Sequence, residues 1–402
     1  MLISGKISYL DEVFYMYPVL KELINGTIDR TLQLLNECFL HLTKDIEQIR
    51  YEFGERYHKI ENIKISSGDT HNGGKRVIII EFESGKLVYK PPGIEELGYL
   101  KEIGNLSLFT GIGSMIYLYY TFYILYDSMN YKEKLMQLID RVVEEMDGEK
   151  LDGKKLEDDI ILGVSGTIIV LCEIHSELKD NKIAECIQKM GEVLYAHLSQ
   201  ENESHLTGFS HGYSGYAVAL NVIGKLTKDI KYTNLAEHLL EIENRYFDEE
   251  RMNWKDLREE GSFSSYWCHG SGGIALARTL ILDMQQKNKY TQEINAGILD
   301  LKNNGFLRDE KYNHSLCHGT FGNIDILLKI AEKNEDNELE AFAKSKAVEE
   351  LKYIREVGFL AGTKNIIDNN SFMLGLSGIG YELLRIHDRR VPSILSLEVI
   401  KN

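Results

Sequence analysis

The chain has 402 residues, 46 basic and 62 acidic, giving a formal net charge of −16, and 43% of its residues are hydrophobic. That is enough apolar material for one large core plus an appendage or second domain, and it excludes an intrinsically disordered chain. The acidic balance, with no local basic patch, excludes an ordinary nucleic-acid binder and allows a basic peptide partner.

In chain order, the N-terminal MLISGKISYLDEVF lacks the basic-then-apolar pattern of a signal peptide. Residues 19–50 carry apolar side chains at helical spacing (Leu32, Leu34, Leu35, Phe39, Leu42), which predicts a helix. RVIIIEF (Arg76 to Phe82) and KLVYK (Lys86 to Lys90) are rich in β-branched and aromatic residues. Glu83-Ser84-Gly85 between them is a turn signal, so the pair predicts a β-hairpin, closed by Pro91-Pro92-Gly93. The most apolar run, IGSMIYLYYTFYILY from Ile112 to Tyr126, is 15 residues long. A membrane span needs ~20, and five tyrosines interrupt this run, so it reads as a buried helix. The expectation is a cytoplasmic protein without membrane insertion. The chain has only four prolines (Pro18, Pro91, Pro92, Pro392), which permits long uninterrupted helices.

From about residue 105 a repeat appears. A glycine pair recurs before an apolar helical run: GVSGTIIVL from Gly163, GYSGYAVAL from Gly212, GSGGIALAR from Gly270, GTFGNIDIL from Gly319 and GLSGIGYEL from Gly375. LFTGIGSMI from Leu108 reads as a sixth, with Leu108 in place of the first glycine and Gly111 as the second. These second glycines fall 49 to 58 residues apart, room for two helices and two loops per unit. More polar helical segments such as Tyr232 to Tyr246 lie between, so an apolar inner layer alternates with an amphipathic outer one. Such helix pairs stack into an open solenoid or close into an α/α barrel, and six units without an evident polar cap favour closure. The glycines read as devices for close backbone approach. Convergent helix N-termini would also make their common end electropositive.

Three of the repeats carry chemistry just before their glycines: FSHG (His211), YWCHG (Cys268, His269) and LCHG (Cys317, His318). Two of the five cysteines and three of the twelve histidines thus occupy one repeat position. Cys268, Cys317 and His318 form a three-ligand zinc set, and a three-ligand site is the catalytic type, with its fourth position open. Soft thiolate donors suit a thiol as the incoming ligand. Two protein thiolates, an incoming thiolate and one neutral imidazole leave the Zn²⁺ assembly at net −1, which keeps the incoming sulfur nucleophilic. His211 and His269 flank the set as general acid or base.

The HG-x-x-G, WCHG and CHG-x-x-G series, closed by MLGLSGIGYELLR, resembles the lanthionine synthetase C-like (LanC) cyclases over roughly residues 105–402. VPSILSLE and GDTHNGGKRVIIIEFESGKLVYKP are similar to the two-domain LanM synthetases. Residues 1–104 resemble a truncated LanM dehydratase with a kinase-like small lobe. The resemblance implies a mainly α fold, a double-layered α/α toroid with a small α+β N-terminal segment. It implies a zinc cyclase that adds cysteine thiols of a dehydrated precursor peptide to dehydroalanine or dehydrobutyrine. Cys268, Cys317 and His318 match the family's zinc ligands, and His211 its proton donor or base. Asp159 in DDIILGVSG matches an acidic residue near the site. Stand-alone cyclases often carry an arginine shortly before the first zinc cysteine; Ser264 and Ser265 stand there. Asp69, His71 and Lys90 resemble nucleotide-handling residues, but the chain passes from Pro91-Pro92 to the first repeat within about 20 residues, too few for a metal-binding kinase lobe. The expectation is no dehydration, a separate dehydratase as possible partner, and, as alternatives, a peptide- or partner-binding zinc module or a two-carboxylate glycoside hydrolase.

Overall fold

A computed structural model describes residues 32, 34–47, 49–50, 59–65, 78–82, 85–89, 106–147, 157–200, 205–282, 290–363 and 371–401. The chain divides into two compact units, Met1–Glu102 and Ile103–Asn402.

The first unit contains a helix, α1 (34–47), and an antiparallel sheet of β1 (Ile60–Ile65), β2 (Ile78–Phe82) and β3 (Gly85–Tyr89), with β2 in the middle. The hairpin expected between residues 76 and 90 is β2–β3, with Phe82 opposite Gly85 and Ile78 opposite Tyr89. Period-two alternation puts Ile78, Ile80 and Phe82 on one face, where they pack with Leu34 and Cys38 of α1. Strand β1, with only three apolar residues among IENIKI, carried too weak a pattern to be singled out. Asp69, His71 and Lys90, and the turn residues Glu83 and Ser84, lie outside the described residues.

The second unit is the double-layered α/α toroid. Its inner helices are α2 (Ile112–Tyr126), α4 (Val164–Leu178), α6 (Tyr213–Thr227), α8 (Ser271–Ile281), α10 (Thr320–Asn334) and α12 (Leu376–His387). Each packs against the next inner helix along the chain. The outer layer is α3 (Met129–Asp147), α5 (Asn181–Leu198), α7 (Ile230–Asn244), α9 (Thr291–Asn304) and α11 (Asn337–Val357). Among the described residues there are therefore six inner and five outer helices. The layers differ as composition demands: every residue of α10 from Thr320 to Ala331 is buried, whereas α11 buries one stripe (Leu339, Ala343, Ala347, Glu350, Ile354). Helix α2 is buried only in part, since Leu125 and Tyr126 in its last turn are exposed. The longest interval of the repeat, between Gly215 and Gly273, holds a short hairpin of β4 (Phe247–Asp248) and β5 (Asn253–Trp254).

The first repeat is registered differently from its sequence reading. Gly111 caps the N-terminus of α2, as Gly163, Gly212, Gly270, Gly319 and Gly375 cap the other inner helices. Gly111 is thus the first glycine of its unit, and Ser114 stands where the others have the second. The reason for that second glycine is local. A Cβ on Gly273 would lie 2.1 Å from the Trp267 carbonyl oxygen, and one on Gly322 1.9 Å from that of Leu316. In the five units other than that of α2, the loop entering the helix folds back onto the helix's first turn, and only glycine leaves room for its carbonyl.

Candidate metal and acid–base site

The corner loops ahead of the inner helices are tied to one another through their backbones. Ile160 N–H donates to Ser210 O (3.0 Å), Ser210 N–H to Cys268 O (3.2 Å), Cys268 N–H to Cys317 O (3.3 Å) and Cys317 N–H to Met373 O (3.0 Å). Residues at equivalent repeat positions are thereby held side by side, which brings Cys268 and Cys317 together across 49 residues of sequence.

The ligand atoms of Cys268, Cys317 and His318 lie within 4.8 Å of one another. Cys268 is buried, and Cys317 and His318 are partly so. A tetrahedral Zn²⁺ with sulfur at about 2.3 Å and nitrogen at about 2.0 Å spaces its ligands roughly 3.5 Å apart, so the cluster fits with small movements. The histidine fits as well: His318 Nε2 lies 2.9 Å from Gly362 O. A carbonyl only accepts, so Nε2 carries the proton and the neutral ring keeps its lone pair on Nδ1. A ligating histidine held through its other nitrogen by a carbonyl is the usual outer support of such a site. The two thiols share one ionisation: the Cys317 hydrogen bond holds Cys268 well below the ordinary thiol range despite burial, and the same hydrogen bond pushes Cys317 up. For His318, burial is the largest single influence and works downward, but the hydrogen bond to Cys268, the charge of that thiolate and the Gly362 carbonyl together push the ring up.

Beside this set stands an acid–base pair. His211 Nδ1 donates to Asp159 Oδ2 at 2.7 Å. Asp159 is itself fixed, Oδ1 accepting from the backbone N–H of Leu162 (2.5 Å) and Gly163 (3.1 Å) at the start of α4. The His211 ring stacks on that of His269, with centroids 5.6 Å apart and 22° between planes. Nδ1 of His269 faces Thr207 O at 3.4 Å, and burial holds this histidine below its ordinary range. The N-terminal ends of α6, α8 and α10 begin immediately after these residues, so their positive dipole ends lie at the thiolate end of the toroid, as the sequence suggested.

Ser264 and Ser265 do not face a reactant. Ser264 Oγ donates to Asp256 (2.9 Å) and Ser265 Oγ to Asp300 (2.5 Å). The cation near the ligands is Arg258, which the sequence reading missed. It grips Asp256 through Nε (2.9 Å) and Nη2 (2.6 Å), and its charge acts on Cys268, Cys317, His269 and His318. Nothing in LREEGS marks Arg258 as special; the backbone bonds of the 255–271 loop place it there.

Two helical layers closed around a Cys₂His cluster and a carboxylate-held histidine define an α/α toroid with a three-donor site at its corner loops. The lanthionine synthetase C-like protein family model matches residues 94–399, and a domain of unknown function (DUF4135) matches residues 17–97. The lacticin 481/lactococcin biosynthesis protein LcnDR2 of Lactococcus lactis subsp. lactis is 27% identical over 314 residues, 75% of this chain and 32% of that protein. The chain thus spans about a third of that relative's length. The structure of a nisin cyclase superposes with a TM-score of 0.60 at 18% identity, over 76% of this chain and 82% of that one, which shows the shared fold. The chain belongs to the lanthionine synthetase C-like family. Among its described residues no helix is long and apolar enough to cross a membrane.

Proposed function

We propose that the chain is a zinc-dependent cyclase that closes thioether rings in a dehydrated precursor peptide, with Cys268, Cys317 and His318 as zinc ligands. The observation that carries this reading is the three-donor cluster beside the Asp159–His211 pair. Zinc bound there would supply a coordinated thiolate from the peptide cysteine at neutral pH.

The chain's own residues account for the protons. Asp159 accepts from Nδ1 of His211, which leaves the Nε2 lone pair of the neutral ring to take the thiol proton. The sulfur electron pair forms the C–S bond at the β-carbon of the dehydroamino acid. The displaced π pair passes to the α-carbon and its carbonyl as an enolate, and His211 returns the proton to the α-carbon. No atom is gained or lost, so product and substrate are isomers. His269, held neutral by burial, packs on the working histidine and keeps water from one face. Arg258 adds positive potential where the thiolate and then the enolate carry charge.

Residues 1–104 contribute no dehydration in this reading, and the peptide reaches the site already dehydrated. The test uses purified chain and a peptide holding one cysteine and one dehydroalanine. Loss of alkylatable thiol without change of mass, abolished by a chelator and restored by zinc, is the expected result. A zinc-loaded chain that leaves the thiol free would sink the proposal.

A further inference from the structure

The segment VPSILSLEV, residues 391–399, has no part in the chemistry above, yet alternate residues of it are deeply buried: Ser393 and Leu395 are 0% exposed, Leu397 1% and Val399 2%. Three inner helices tie it down. Ser393 Oγ donates to Asp325 of α10 at 2.7 Å, and Lys329 of α10 pairs with Glu398 at 2.5 Å. Tyr117 of α2 donates to Glu398 O at 3.2 Å, and Tyr381 of α12 to Pro392 O at 2.8 Å. The segment therefore lies among the inner helices and joins the first of them to the last two. Within it Leu397 is held at φ 58°, an unfavoured backbone for a branched-chain residue that persists only where the surroundings enforce it.

One bond from this segment reaches the metal corner. The indole N–H of Trp267, 0% exposed, donates to the carbonyl of Leu395 at 3.0 Å across 128 residues of sequence. Trp267 immediately precedes Cys268. Its ring packs against Phe209 (centroids 5.6 Å apart) and Phe109 (6.3 Å), and its own carbonyl is the one that abuts Gly273. The peptide that carries Cys268 is thus clamped by its carbonyl on one side and by the anchored indole on the other.

We propose that residues 392–399 are a brace for the metal site, and that Trp267, held by the Leu395 carbonyl, is a positioning residue that keeps Cys268 at ligating distance. The inference rests on the zinc reading given above. The physical reason is the cost of misplacement. A thiolate ligand that must be pulled into place at binding spends part of the metal's binding energy on ordering, whereas a pre-placed one does not. A buried indole N–H has one alternative to the Leu395 carbonyl, which is to go unpaired.

The chain has two tryptophans, and the second supplies the control. Trp254 is equally buried and its indole N–H donates to Asn244 Oδ1 at 3.1 Å, a bond made to an outer helix and not to the brace. The experiment measures zinc affinity of the full chain by competition with a chromophoric chelator, for wild type, Trp267→Phe, Trp254→Phe and Ser393→Ala, beside their melting temperatures. Trp267→Phe keeps an aromatic ring against Phe209 and removes the donor with part of the indole, a loss of buried volume that the Trp254→Phe control shares. The expected result is a loss of about 10–100-fold in zinc affinity for Trp267→Phe, the range for removal of an outer support. Ser393→Ala, which loosens the brace without touching the corner, loses a smaller factor in the same direction, and Trp254→Phe keeps wild-type affinity even where it melts earlier. Cobalt in place of zinc adds a second readout, a changed thiolate-to-metal absorption in Trp267→Phe alone. Affinity that falls in both tryptophan variants in step with melting temperature, or that is unchanged in Trp267→Phe, overturns the brace while leaving the zinc reading intact. A wild-type chain that binds no zinc overturns both.

Discussion

Asp159 and His211, 52 residues apart, meet through a 2.7 Å hydrogen bond from Nδ1, and the carboxylate is itself held by two backbone N–H groups. The pair therefore fixes which imidazole nitrogen is free. Asp159→Asn should weaken that control, since an amide can present either an acceptor or a donor to Nδ1. The expected loss in cyclisation rate is about 10²–10⁴-fold, the usual contribution of a positioned acid–base group. Zinc content should stay at the wild-type level, because neither residue is in the Cys₂His set. A rate fall that tracks lost zinc would assign Asp159 to the metal site instead.

Removing a ligand should do the reverse. Cys317→Ala deletes one of the three donors gathered within 4.8 Å. A site left with one thiolate and one imidazole is no longer a stable zinc site, so metal content should drop from about one per chain to near zero. Elemental analysis of chelator-free preparations reads this directly. Undiminished zinc in the variant would place the metal elsewhere.

Much of this arrangement was legible from sequence because repeat position translates into spatial position. Cys268, His269, Cys317 and His318 stand at the same place in successive units, and the backbone bonds from corner to corner convert that equivalence into adjacency. Asp159 was reachable only through a family resemblance, since an acidic pair ahead of a helix is common and its partner lies one repeat away. Arg258 and the Leu395 carbonyl were not legible at all. The first reaches the site through an irregular loop, and the second acts through its backbone, which carries no residue signature. The glycine pattern was read rightly as close approach, but not what approaches. The neighbour is the chain's own entering loop and not a converging helix.

That distinction gives a pair of glycine substitutions with opposite signs. Gly322→Ala places a Cβ 1.9 Å from the Leu316 carbonyl oxygen, a backbone atom that cannot rotate away. It should destabilise the toroid by about 2–4 kcal/mol, in the range of substitutions that force backbone strain. Gly380 lies inside α12, and a Cβ there would meet nothing within 4 Å. Gly380→Ala should therefore stabilise by about 0.5–1 kcal/mol through the higher helix propensity of alanine. Chemical denaturation of the two variants beside wild type tests both signs at once.

A pH dependence of stability follows from His314, which is fully buried three residues before Cys317. Its Nδ1 accepts the Leu360 N–H at 2.8 Å, while the backbone N–H of His314 donates to Leu360 O at 2.8 Å. Burial, with Arg308 nearby, pushes the ring down to about 4. In the unfolded chain it returns to about 6.5. Between those values the unfolded state binds more protons than the folded state. The contribution of His314 is therefore fully present above about pH 6.5 and is lost as pH falls toward 4. Glu350, whose carboxyl burial raises, works the other way, so the total curve is not the test. His314→Asn is the test, because the amide oxygen can keep the Leu360 N–H bond and cannot titrate. The difference in stability between wild type and His314→Asn should shift against wild type as pH is lowered from 7 to 4. A difference that stays flat across that window would mean that His314 takes up its proton in the fold at no cost, and that the Leu360 bond does not depend on a neutral ring.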